Sequence, residues 1–138
     1  MTLPELEKVK AIVIEVAQRE LPHRFAHMDP RKKADGSLIT EADLATQAGI
    51  RKALEQLCPG CGFLGEEMEA AEQLAAMEHS PNGLWCLDPL DGTNNFTAGI
   101  PYYAVSLAFL HQGEVQLGVV YDPSRDECFS AVRGEGAQ

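Results

Sequence analysis

Two acids close an apolar run in the stretch Trp85-Cys86-Leu87-Asp88-Pro89-Leu90-Asp91-Gly92-Thr93-Asn94-Asn95-Phe96. The run before Asp88 is typical of a strand, and Asp91 follows on the other side of a proline. Proline fixes its own φ and biases the residue before it toward extended geometry, so the turn between the two acids is expected to be stiff. Two acids have little structural reason to end an apolar strand, which favours a functional role for both.

The chemistry of this turn points to a metal and a phosphate. Carboxylates are hard oxygen ligands, and Mg²⁺ usually enters proteins through one or two of them together with substrate phosphates. Gly92 lets the backbone approach a ligand closely. The N–H groups that follow would face an anion if a helix starts there. Thr93 has two interpretations, a hydroxyl used in the chemistry or only the N-cap of that helix.

Composition limits the partners. The 138 residues are typical of one domain, and 11 basic against 21 acidic residues give a net charge of −10. That charge argues against a nucleic-acid backbone or an anionic membrane as the main partner. Bound divalent cations would let such an acidic protein accept a phosphate. No apolar run approaches the roughly 20 residues that cross a membrane, and the start lacks a signal-peptide layout, so we expect a cytoplasmic protein.

The periodicity of the chain predicts helices first and strands afterwards. Apolar residues at helical spacing predict a helix over 3–21, with a capping box of Thr2 and Glu5, and a second from about Thr40 to Leu57. A short helix over 69–79 is favoured by propensity. Strands are predicted at 63–64, 84–87, 102–110, 115–121 and 127–132. Short turns join the later strands, so the expected fold is α+β, an antiparallel sheet with helices packed on one face.

Two further acids lie upstream of the central turn. Glu66 follows a short strand, and Asp43 lies near the start of the second helix. If they meet Asp88 and Asp91, their mutual repulsion raises the carboxyl pKa values until a cation is bound. Two such ions about 3.5–4 Å apart would clamp a phosphoryl group. Asp43 also fits a purely structural role as the acid of a capping box opened by Thr40.

Other charged and reactive groups have simpler interpretations. Glu67 and Glu69 are typical of surface charge, and the Cys58-Pro59-Gly60-Cys61 motif is interpreted as a turn between a helix and a strand. The sequence lacks a second such pair to complete a zinc site. Without a secretory signal, no disulfide is expected. A thiol redox protein built on this motif is nevertheless kept as a third functional hypothesis.

Three motifs together resemble the inositol monophosphatase family of Mg²⁺-dependent, lithium-sensitive phosphatases. They are KADGSLITEAD at 33–43, GEE at 65–67 and WCLDPLDGTNNF at 85–96, and GVVYDP at 118–123 also agrees. The resemblance implies the layered α-β-α-β-α fold of that family. Residues 1–138 would then supply its amino-terminal metal-binding domain, with the carboxy-terminal domain absent. It also implies a homodimeric whole protein, although the residues themselves do not indicate an oligomeric state.

The resemblance also assigns roles to individual residues. Two or three Mg²⁺ ions, with Mn²⁺ as an alternative, would be bound by Glu66, Asp88, Asp91 and the carbonyl of Leu90. The catalytic residues would be Asp43, Thr93 and Glu66. Thr93, oriented by Asp43, would help position or deprotonate the attacking water, and Glu66 would help place a third metal ion through a water. The phosphate and substrate group would be held by Asp91, Gly92 and Thr93. Lys33 would lie in a mobile loop near the metals.

These roles predict hydrolysis of a small phosphate monoester, similar to an inositol monophosphate, to an alcohol and phosphate. A metal-activated water would attack phosphorus directly, and the reaction would need the absent carboxy-terminal half, where the family carries a further aspartate ligand. The alternative is a non-catalytic module that binds divalent metal, which rests on the same acids. The exact substrate is left open.

Overall fold

The computed structural model describes residues 2–27, 31–32 and 38–138. Its main feature is a five-stranded sheet in the order β3-β4-β5-β6-β7. The strands are β3 Gly62–Gly65, β4 Leu84–Asp91, β5 Ala104–His111, β6 Glu114–Asp122 and β7 Glu127–Val132. A separate antiparallel ribbon pairs β1, Arg31–Lys32, with β2, Leu38–Ile39.

The described residues include four α-helices, and three of them agree closely with the periodicity of the sequence. They are α1 Leu6–Glu20, α2 Glu41–Leu57, α3 Ala70–Glu78 and α4 Thr93–Ala98. Helix α1 buries Val9, Val13 and Val16, a spacing that lines one helical face. The predicted capping box of Thr2 and Glu5 is wrong, because Glu5 is itself the N-cap and makes no side-chain cap hydrogen bond.

The sheet confirms the predicted α+β class. Strands β4 to β7 pair in antiparallel fashion along the chain. Short turns join β5 to β6 and β6 to β7, whereas residues 92–103, which include α4, join β4 to β5. Strand β3 differs, since it pairs with β4 in parallel, with Phe63 opposite Trp85. A parallel neighbour requires a crossover connection, and α3 provides it.

The two faces of the sheet differ in cover. Helices α1 and α2 pack over one face, where alternate residues such as Trp85, Leu107 and Val119 are buried. On the other face Val120 pairs with Phe129 across β6 and β7. These side chains are 42% and 54% exposed, so this face keeps apolar surface open to solvent in the described chain.

Helix α2 begins and ends as its sequence predicts. Thr40 and Asp43 form a reciprocal capping box at the start. The helix ends before Cys58, and Gly60 takes a φ of 89° in the turn toward β3. The expectation of reduced cysteines is corrected, because a disulfide joins Cys58 to Cys61. The close spacing imposed by this turn brings the two sulfurs together.

None of the helices in the described ranges is both long enough and apolar enough to cross a membrane.

Candidate metal and phosphate site

The parallel pairing of β3 with β4 is what brings the acids together. Parallel strands end at the same edge of a sheet, and Gly65 lies opposite Leu87 in the register. The chain continues from these partners into Glu66 and Asp88 respectively. The Glu66 N–H donates to the carbonyl of Leu87 at 3.1 Å, which extends the pairing into the acidic turn. The two carboxylates therefore lie at one end of the sheet.

Asp88 is the electrostatic centre of this cluster. Burial raises the pKa of its carboxyl to about 7, together with a hydrogen bond shared with Glu66 and the repulsion of the charges on Glu66 and Asp91. The N–H of Leu90 acts in the opposite direction by donating to Asp88 Oδ1 at 3.2 Å. Glu66 is thus hydrogen bonded to Asp88, and the charge of Asp91 acts on the same carboxyl.

The donor chemistry of these residues fits a hard divalent cation. Crowded carboxylates are what Mg²⁺ or Ca²⁺ binds, and a cation would offset the repulsion that raises the pKa of Asp88. In the parts of the chain that the structure describes, however, no three acidic, histidine or cysteine side chains are yet grouped to hold one ion. A complete coordination sphere would thus need rotation of these side chains and further oxygen ligands.

The turn after Asp91 depends on a glycine. Gly92 has a φ of 97°, and a Cβ atom there would lie 2.9 Å from the carbonyl oxygen of Tyr102. Gly92 is the N-cap of α4, so the interpretation of Thr93 as N-cap is wrong and Thr93 is the first helical residue. This places the Thr93 hydroxyl within reach of two acceptors. They are Asp43 Oδ1 at 3.0 Å and the carbonyl of Leu90 at 3.1 Å.

Asp43 combines the two roles that its sequence left open. Its Oδ2 accepts from the Thr40 N–H at 2.8 Å and from the Thr40 hydroxyl at 2.6 Å, which completes the helix cap. Its Oδ1 accepts from Thr93, fifty positions along the chain. Both Thr40 and Asp43 are 1% exposed. The carboxylate is therefore fixed by the cap on one side and faces Thr93 on the other.

One residue that sequence reasoning missed also touches the site. Gln47 lies one turn after Asp43 on α2, and its Oε1 accepts from the N–H of Glu67 at 3.1 Å. The signal that identifies it is spacing, because residues four apart share a helical face. Lys33 lies outside the described residues.

A surface cavity adjoins the acidic turn. It has a volume of about 370 Å³ and includes Asp91, Gly92, Asn95, Tyr102 and Phe129 in its lining. Its walls thus combine a carboxylate and the glycine turn with two exposed aromatic rings. A small ligand held at Asp91 and Gly92 would have room to extend into this cavity.

Comparison with known proteins agrees with this arrangement. The model of the inositol monophosphatase family matches residues 3–138. The inositol-1-monophosphatase of Mesorhizobium japonicum is 41% identical over 105 residues, which are 76% of this chain and 38% of that relative. The Nus factor SuhB of Pasteurella multocida is 38% identical over 107 residues, 77% of this chain and 38% of that relative. The chain thus spans well under half the length of these two proteins.

Solved structures agree at the level of the fold. The Thermotoga maritima IMPase matches with a TM-score of 0.85 at 30% identity, over 96% of this chain and 50% of that one. An IMPase/NADP phosphatase complexed with Mg²⁺ and phosphate matches with a TM-score of 0.81 at 27% identity, over 96% of this chain and 49% of that one. The chain therefore has the fold of about half of each of these enzymes.

Proposed function

We propose a function from one premise, that the chain belongs to the inositol monophosphatase family. The proposed reaction is hydrolysis of a small phosphate monoester to an alcohol and inorganic phosphate. The observation that carries the proposal is the hydrogen bond between Glu66 and Asp88, with the charge of Asp91 acting on Asp88, beside the Thr93–Asp43 hydrogen bond. Acidic residues that serve only as surface charge are not expected to lie this close together, because neighbouring carboxylates repel each other.

Divalent cations are the proposed cofactor. Glu66, Asp88, Asp91 and the carbonyl of Leu90 would hold two or three Mg²⁺ ions, with Mn²⁺ as a substitute. Support comes from the all-oxygen donor set and from the related structure that contains Mg²⁺ and phosphate. When bound, such ions would neutralise phosphate charge and make water a stronger nucleophile.

The residues of this chain would supply orientation and proton acceptance. Asp43 accepts the Thr93 hydroxyl hydrogen, which leaves the Thr93 oxygen able to accept a hydrogen from an attacking water. The N–H groups at the start of α4 and the open glycine turn would hold the phosphate oxygens, with Gly92 and Thr93 as their sources. Lys33 stays a proposed contact from the loop before α2.

Residues 1–138 would form the amino-terminal metal-binding domain of a longer protein. Two observations support this proposal, the length of the relatives and the number of carboxylates that reach Asp88. Further ligands would come from a carboxy-terminal domain. We extend the proposal to an inositol monophosphate-like substrate, inhibition by lithium, a cytoplasmic location and a homodimeric whole protein, as expected for the family.

The test compares carboxylates inside and outside the cluster. In the intact protein, Asp88→Asn and Asp91→Asn should abolish Mg²⁺-dependent release of phosphate from inositol monophosphate. The matched control is Glu127→Gln, since Glu127 is an exposed acid on β7, and it should retain full activity. Phosphate release by Asp88→Asn at the unmodified rate would refute the assignment. Mg²⁺ binding without turnover in the unmodified protein would favour a non-catalytic metal-binding module instead.

A further inference from the structure

We propose that Gln47 is a positioning residue that fixes the acidic turn at residues 65–67 and thereby sets the metal affinity of the site. The inference rests on the proposed metal-dependent function, because it concerns the same cluster of carboxylates. It adds a residue on α2 that makes its contact through the backbone of the turn rather than through an acid.

The contact itself is direct and largely shielded from water. Gln47 Oε1 accepts from the N–H of Glu67 at 3.1 Å, and Gln47 is only 8% exposed. A buried amide costs free energy unless its groups are hydrogen bonded, so its presence on a helix face packed inward needs a reason. Gln47 has such a reason if its role is to hold Glu67, the residue next to Glu66, in place.

Gly65 supplies independent evidence for the same role. A Cβ atom at Gly65 would lie 2.3 Å from Gln47 Oε1 and 2.6 Å from its Cδ. The φ of Gly65 does not lie in the left-handed region, so the glycine is needed for the space it leaves rather than for its backbone conformation. The turn thus lacks a side chain at the position where the Gln47 amide lies against it.

The same helix face locates both parts of the site. Asp43 and Gln47 are four residues apart and so lie one above the other on α2. Asp43 accepts from Thr93 after β4, and Gln47 accepts from Glu67 after β3. The backbone beside Glu66 is therefore tied to the helix that also contacts Thr93. This link adds to the pairing of β3 with β4 and to the hydrogen bonds that Gln73 on α3 donates to the carbonyls of Gly65 and Glu66.

Loss of this contact should change metal binding more than it changes stability. Residues that hold metal ligands in place typically cost about 10–100-fold in metal affinity when they are replaced. Gln47→Leu keeps a similar shape and removes the acceptor. In the intact protein we expect the Mg²⁺ dissociation constant, measured by titration calorimetry, to rise about 10-fold or more. The turnover number at saturating Mg²⁺ should change much less.

Two further variants separate positioning from general destabilisation. Ile50→Val perturbs the buried face of the same helix without touching the turn, and it should leave the Mg²⁺ dissociation constant unchanged. Gly65→Ala forces the Gln47 amide away, so it should reproduce the loss of Mg²⁺ affinity. Combining it with Gln47→Leu should add less than the sum of the two effects. Gly65→Ala also serves as the test if Gln47→Leu does not fold.

The outcomes are distinct. Mg²⁺ affinity in Gln47→Leu within about twofold of the unmodified protein, well short of the loss expected for a positioning residue, would overturn this inference and leave the proposed function standing. An equal loss in Ile50→Val would also overturn it, because the effect would then be structural. If the unmodified protein neither binds Mg²⁺ nor releases phosphate, the proposed function fails and this inference fails with it.

Discussion

Helices α2 and α3 differ in which side chains they bury and which they expose to solvent. Helix α2 buries four polar side chains at or near its start, namely Thr40, Asp43, Thr46 and Gln47. Helix α3 buries none of its residues, and Leu74 and Met77 on it are 56% and 63% exposed. The helix that contacts the Thr93 turn thus buries several polar groups, whereas α3 leaves large apolar side chains in solvent. The comparison indicates that α2 meets the candidate site with buried polar groups, whereas α3 makes the crossover and contacts the acidic turn through the half-buried Gln73.

The prediction with the largest expected effect compares the turnover numbers of variants in the two helices. Asp43→Asn replaces a two-oxygen acceptor with one oxygen, so either the Thr40 cap or Thr93 loses its partner. We expect the turnover number of the intact protein to fall by roughly 10²- to 10⁴-fold, the range for an acid–base group. The measurement is steady-state phosphate release. Glu72→Gln on α3 is the matched control and should be unaffected; equal losses in both would remove the distinction between the helices.

The second prediction concerns apolar packing in the same two helices. Ile50 is fully buried on α2, so Ile50→Ala should lower the free energy of unfolding by about 2–5 kcal/mol. Leu74→Ala on α3 should lower it by less than about 0.5 kcal/mol, since the side chain is already in water. Urea denaturation checks both. A cost for Leu74→Ala as large as that for Ile50→Ala would show that α3 is covered in solution.

A third, smaller effect has opposite signs at two threonines of the α2 region. Thr40→Val removes the helix cap and should destabilise the protein by about 1 kcal/mol. The Thr46 hydroxyl is buried, and within the described residues it has no hydrogen-bond partner. Thr46→Val removes that penalty and should be neutral or stabilising by up to about 1 kcal/mol. Thermal unfolding of the two variants side by side is the measurement, and a shared sign would contradict this account.

The last prediction is a pH dependence at the site. The pKa of Asp88 is raised to about 7 in the folded metal-free protein, against a usual value near 3.8. The folded state therefore binds an extra proton between these values, and stability from this group is lost as the pH rises through about 7. Asp88→Asn should unfold at a higher temperature than the unmodified protein at about pH 8 without metal, and the difference should shrink toward about pH 4. Because the Asp88 carboxyl is partly exposed to solvent, this difference in unfolding temperature should be small.

Local signals in the sequence predicted α2 well and its buried face badly. Thr40 and Asp43 carry the capping pattern, and the helix ends at Leu57 as predicted. Leu44 is one of the apolar residues whose helical spacing predicts this helix, yet it is 38% exposed. Gln47 is buried although it is polar and forms no part of the apolar pattern. Periodicity reports the average face of a helix, and it cannot show that a polar residue has a partner twenty positions away.

The site itself was predicted from residue chemistry in part only. A metal and phosphate site at the turn from Asp88 to Gly92 was inferred from the stiffness that Pro89 gives the backbone and from the spacing of the two carboxylates. The contact of Asp43 with Thr93 spans fifty positions, and only the family resemblance suggested it. The parallel edge strand β3 was also not foreseen, although the helix between it and β4 implied a crossover. Long-range pairing depends on the whole fold, and short patterns do not contain it.

The Thr93 hydroxyl has a single hydrogen and two acceptors within reach, Asp43 at 3.0 Å and the Leu90 carbonyl at 3.1 Å. It can satisfy only one of them fully at any instant. If a ligand occupies the Leu90 carbonyl oxygen, Asp43 is the acceptor that remains, and the lone pairs of the Thr93 oxygen then point away from Asp43. The hydroxyl hydrogen of Thr93 thus has two alternative acceptors. A ligand that binds the Leu90 carbonyl oxygen would direct this hydrogen to Asp43.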